Sequence, residues 1–224
     1  MTSIAENLAR VRRTIPAGVT LVAVSKTQPA EAVREAYAAG QRHFGENYAQ
    51  EWRDKAALLA DLEGLVWHFI GALQTNKVKY LVGSAEAPAA PRAAWVHTVD
   101  RLALAEELSK RSARRGATTR VLVEVNVGGE ASKSGCAPAD VPALRDAVAR
   151  LPALELRGLM CIPPAEGDPR PHFARLRQLR DALGGDLPDL SMGMSGDYEA
   201  AIAEGSTIVR VGTAIFGARP PKAE

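Results

Sequence analysis

The chain has 224 residues, 46% of them hydrophobic, enough to bury the core of one α/β barrel or of two small domains. Its 28 lysines and arginines against 26 aspartates and glutamates leave a formal charge of +2, which argues against a nucleic-acid groove or a polybasic membrane patch. No apolar run approaches the ~20 residues that span a bilayer, and Cys136 and Cys161 make neither a disulfide framework nor a zinc site, so a cytoplasmic protein is expected.

In chain order, "MTSIAENLARVRRTIP" reads as an amphipathic helix with Ile4, Leu8 and Val11 on one face, not as a signal peptide. Short apolar runs then predict eight strands, at residues 19–24, 42–44, 66–70, 95–99, 121–127, 156–162, 189–192 and 207–211. Helical segments lie between them. "TQPAEAVREAYAAG" carries Pro29 in its first turn and Gly40 at its end; "DRLALAEELSKRSARRG" starts at a capping Asp100 and stops at Gly116, its basic end complementing the helix dipole. "FARLRQLRDALGG" repeats the pattern with Phe173, Leu176 and Leu183, and "GSAEAPAAPRAA" (83–94) is a Pro/Ala-rich loop.

Strands alternating with helices imply parallel pairing with both faces covered, which accounts for their nearly continuous apolar runs. Eight such units predict a single (β/α)8 TIM-type barrel domain over residues 1–224, preceded by an N-terminal helix. A doubly wound open sheet is the rival, but it usually carries a Gly-rich turn after its first strand, where this chain has "SKTQP".

In such a barrel the site lies at the C-terminal strand ends, with phosphate at the loops after strands 7 and 8. Val22, Val24 and Lys26 share one face of strand 1, and Ile208, Arg210 and Gly212 one face of strand 8, so inward faces would bring Lys26 and Arg210 together. An arginine between Val209 and Val211 needs a ligand or a buried partner. "SMGMSGDYEAAI" and "VGTAIFG" offer Ser195, Gly212 and Thr213 with free N–H groups just before helices, a cup for a phosphate; Ser195 or Asp197 as a plain helix cap is the alternative. A lysine beside a phosphate cup suits two classes: a Schiff-base aldolase acting on a sugar phosphate, or a pyridoxal phosphate (PLP) protein. Position favours the second, because strands 1 and 8 adjoin in a closed barrel. "GGEASKSG" is not a P-loop, since Val127 and Ser132 stand where glycines are required, and Lys133 either leans over the mouth or is a loop charge. His68 and His97 read as structural histidines, and Asn47 either bonds a ligand or shapes its turn.

The blocks "LVAVSKTQPAEAV", "RHFGENYAQE", "WHFIGALQTNK", "VHTVDR", "VNVGGEASKSG", "LRGLMCIPP" and "LSMGMSGDYEAAIAEGSTIVRVGTAIFGAR" together resemble the pyridoxal phosphate homeostasis protein family, over about residues 4 to 219. The resemblance implies a fold similar to the N-terminal barrel of alanine racemase, with Lys26 carrying PLP as an internal aldimine. It further implies that Ser195, Gly212 and Thr213 hold the phosphate, that Arg210 faces the pyridine nitrogen, and that Asn47 and Met192 lie against the ring. A permanently protonated arginine there leaves the ring a poor electron sink. Alanine racemases also take a tyrosine from an additional β-domain and a partner subunit, for which this chain has no counterpart. The implied role is therefore a cytoplasmic PLP carrier or buffer, monomeric, in transient contact with apo PLP enzymes, with Lys133 as a conceivable second lysine. A PLP-dependent amino-acid racemase with weak activity is the alternative. The chain departs from the family in "RRTIPAGVT", where the connection into strand 1 is several residues shorter.

Overall fold

The computed structural model describes residues 2–87, 90–130 and 132–218, so residues 88 and 89 of the expected Pro/Ala-rich loop lie outside the described residues. Along the chain run α1 (Ile4–Arg13), β1 (Thr20–Val24), α2 (Ala30–Ala38), β2 (His43–Glu46), α3 (Ala49–Leu58), β3 (Val66–Phe69) and α4 (Val78–Val82). They are followed by β4 (Ala93–Val99), α5 (Leu102–Arg115), β5 (Thr119–Glu124), α6 (Val141–Ala149), β6 (Leu154–Met160), α7 (Arg170–Leu183), β7 (Asp189–Ser191), α8 (Tyr198–Ala203), β8 (Ile208–Val211) and α9 (Thr213–Phe216).

The eight strands close in sequence order into a parallel barrel, β1 pairing with both β2 and β8. In the closing pair Thr20 lies opposite Ile208 and Val22 opposite Arg210. This is the (β/α)8 barrel expected from the alternation of strands and helices. The ends of β5 and β6 differ from the apolar runs: the ladder starts at the Thr119–Leu154 pair and its last registered pair is Glu124–Met160, beyond which Val125 N still donates to Met160 O at 2.8 Å and Val125 bridges Cys136.

Period-two alternation divides the apolar residues into two layers. Val22, Trp95, Leu122, Met160 and Ile208 fill the barrel interior. Their neighbours Ala23, Val96, Val121, Val123, Leu159 and Val209 face outward into a larger core with helix residues such as Val33, Trp52, Leu104, Leu108 and Phe173.

The shorter connection into β1 does not loosen α1. A capping box starts this helix: Glu6 N donates to Ser3 Oγ and Ser3 N to Glu6 Oε2. Leu8 and Val11 are buried, and Asn7 Nδ2 donates to Ile215 O of α9 at 3.1 Å. One expected cap is corrected. Asp100 does not cap α5: the N-cap position is Arg101, one residue on, and the Asp100 carboxylate accepts from the Arg101 guanidinium at 2.6 Å instead.

Candidate functional site

A cavity of about 260 Å³ opens at the C-terminal ends of the strands. Lys26, Asn47, Ser195, Arg210, Gly212 and Thr213 line it, bringing six expected site residues together from four strand ends. Val24, Ile70, Ile162 and Phe216 supply apolar wall.

Met192 is the exception: it does not line the cavity. It is fully buried in the outer core, because it shares the Leu190 face of β7 while Ser191 takes the inner one. The chain then turns at Gly193, where φ is +94° and an added Cβ would lie 2.6 Å from that of Ala201, and Met194 reaches the cavity instead.

Lys26 follows β1 on a turn whose next residue, Thr27, has a left-handed φ of +62°. Side chains of β2 and α3 hold that turn. Lys55 Nζ donates to Ser25 O (2.8 Å), Glu46 Oε1 (2.6 Å) and Glu51 Oε1 (2.9 Å); Ser25 Oγ donates to Glu46 and Thr27 N to Glu51. Glu46 is fully buried, and burial raises its pKa against the opposing pull of Lys55. This ion cluster was not anticipated from sequence; the Glu51–Lys55 spacing of four on a helix was its only trace.

Arg210 forms the cavity floor. It is 3% exposed and donates from Nη1 to Ser191 Oγ (2.6 Å) and from Nη2 to Cys161 O (3.0 Å). Glu124, two residues beyond inward-facing Leu122, is a second unanticipated group. Burial, with Asp100 nearby, pushes its carboxyl up to about 7 despite the charge of Arg210.

At the opposite wall Gly212 N and Ala214 N both donate to Ser195 Oγ, at 3.2 and 3.5 Å. Asp197 Oδ1 accepts from Met194 N at 2.6 Å and ties the same loop. Ser195 therefore binds across to the β8–α9 turn and does not cap α8. Asn47 is pinned from behind by Gly71, where a Cβ would lie 2.1 Å from Asn47 O, and its Oδ1 is buried without a partner.

An amine, a buried guanidinium, a hydroxyl among backbone N–H groups and an orphaned amide oxygen, all between apolar walls, fit a flat phosphorylated aldehyde such as PLP. Lys133 stands apart from the cavity: its Nζ donates to Pro163 O (2.8 Å) and pairs with Glu130 (2.7 Å). Among the described residues no cluster of His, Cys, Asp and Glu suits a metal ion, and no helix is long and apolar enough to cross a membrane.

The chain is similar to known proteins over nearly its whole length. Residues 1–220 match the family described as alanine racemase, N-terminal domain. The pyridoxal phosphate homeostasis protein of Pseudomonas aeruginosa is 54% identical over 232 residues, covering 98% of this chain and 97% of that one. The protein of the same name from Escherichia coli K12 is 46% identical over 237 residues, covering 98% of both. The solved structure of PipY from Synechococcus elongatus PCC7942 with PLP bound superposes with a TM-score of 0.85 at 41% identity, covering 96% of this chain and 100% of that one.

Proposed function

The chain belongs to the pyridoxal phosphate homeostasis protein family, and from that premise we propose that it binds PLP and acts as an intracellular carrier or buffer of the cofactor. The observation that carries the reading is the convergence of Lys26, Arg210 and the Ser195–Gly212–Thr213 wall on one cavity. Bound there, PLP would supply an aldehyde for reversible covalent attachment and an electron-withdrawing ring.

Each residue has a part in holding it. Lys26 would provide the amine, delivered by the clamped turn after β1. Ser195 Oγ with the Gly212 and Ala214 N–H groups, and Thr213, would bind the phosphate. Arg210 would donate to the ring nitrogen, and Asn47 would lie against the ring and satisfy its own Oδ1. Met194 takes the place expected for Met192.

Among the described residues, Lys26 and Arg210 are the ionisable side chains of the cavity wall, and the racemase alternative would need a second acid/base group opposite Lys26. The carrier reading includes a monomeric, cytoplasmic protein of one domain that meets apo PLP enzymes transiently. Steady racemisation of alanine or serine above ~1 per second, within the ordinary enzyme range, would overturn it in favour of a racemase.

The absorbance spectrum tests the site directly. Wild-type protein with PLP should show a band near ~420 nm that borohydride abolishes, and Lys26→Ala should lack it. A wild type without the band at saturating PLP would remove the cofactor reading and return the sugar-phosphate alternative.

A further inference from the structure

A continuous line of hydrogen bonds runs from the cavity floor through the barrel interior. Arg210 Nη1 donates to Ser191 Oγ, which lies 2.9 Å from His97 Nδ1; His97 Nε2 lies 2.9 Å from His68 Nδ1, and His68 Nε2 2.9 Å from His43 Nδ1. The five residues come from β8, β7, β4, β3 and β2. His97, His68 and Ser191 are at most 1% exposed. His43, the first residue of β2, is half-buried and lines a shallow groove at the opposite end of the barrel. Trp95 stacks on His68 with the ring planes 12° apart, which opposes turning that imidazole over.

An arginine can only donate, and that sets the sense of the whole line. Ser191 Oγ accepts from Arg210, and its own proton has His97 Nδ1 as acceptor. In the reverse sense His97 would also donate to Ser191, leaving the hydroxyl proton buried with nothing to receive it. With Nδ1 accepting, His97 carries its proton on Nε2 and donates to His68, which by the same logic donates to His43. Neutral rings are required, and burial supplies them. It holds His68 and His97 well below the ordinary histidine value, with neighbouring histidines and Arg120 adding to the effect at His68 and Arg210 at His97. Burial, then Arg120, lowers His43.

We propose that His43, His68 and His97 form a relay locked in one tautomer, each protonated on Nε2, which acts through Ser191 to position the Arg210 guanidinium at the cavity floor. The line leaves Arg210 no freedom to swing toward the barrel base and directs its remaining N–H groups to the ligand. None of the three histidines lines the cavity, so they are positioning residues. The consequence for ligand binding rests on the PLP reading above; the tautomers do not.

Two measurements separate these parts. In protein labelled with ¹⁵N-histidine and free of added cofactor, long-range ¹H–¹⁵N correlation at pH 7 should show all three rings neutral and Nε2-protonated, with His172 as a reference outside the line. A charged ring or an Nδ1–H tautomer at any of the three would overturn the relay. PLP titration then reads the positioning. His97→Asn keeps an oxygen to accept from Ser191 and should bind within about threefold of wild type, whereas His97→Leu removes the acceptor and should weaken binding about tenfold or more. Equal affinities of two folded variants would overturn the positioning role. Failure of the wild type itself to bind PLP would sink the cofactor reading while leaving the tautomer result intact.

Discussion

Glu124 ends β5 with a carboxyl that is 5% exposed and has one oxygen buried without a partner. Its pKa rises from 4.5 to about 7 on folding, so the folded state favours the protonated form. The stability this contributes is present below pH 4.5 and is lost as the pH climbs through about 7, an effect on the order of 3 kcal/mol. Glu124→Gln mimics the protonated carboxyl at every pH. Its unfolding free energy should therefore gain on wild type between pH 4.5 and pH 8, and denaturant curves at the two pH values would reveal it. A difference independent of pH would mean that Glu124 is not held neutral. Arg210 was legible because an arginine within "IVRVG" demands an explanation; Glu124 stands between Val123 and Val125 in the same way, within the run expected as strand 121–127, and that signal went unread. Met192 was expected from the resemblance alone; period-two alternation puts it on the outward Leu190 face, and after the positive φ of Gly193 it is Met194 that lines the cavity.

Elements were more legible than contacts between them. Parallel strands covered on both faces leave continuous apolar runs, so all eight could be found from sequence, and Gly116 and Gly184 marked helix ends that the structure keeps. The β2–α3 clamp on the Lys26 turn was hidden, because its members are charged residues that usually face solvent. Glu46 lies on the outer face of β2 beside Phe44, and α3 lays Lys55 over it. Removing one partner from a buried pair leaves the other charge uncompensated. Lys55→Met should cost ~3–5 kcal/mol in unfolding free energy and loosen the turn that presents Lys26. Adding Glu46→Gln should restore much of that stability. If Lys55→Met alone is within ~0.5 kcal/mol of wild type, the clamp contributes little to holding the turn.

At the scale of the molecule, the first and last strands hydrogen-bond to each other, and α1 reaches α9 through Asn7 and Ile215. Among the described residues the barrel has no open sheet edge once β1 and β8 have met, so no strand is left to template aggregation. The cavity inherits this closure, since Lys26 follows the first strand while Ser195, Arg210 and Gly212 come from the last part of the fold. A ribosome making this protein has therefore finished the lysine long before the residues that complete the cavity around it. On the proposed assignment a nascent chain or a C-terminal fragment would carry only part of the grip, so a reactive aldehyde would be retained only by molecules whose synthesis and ring closure have both run past residue 213.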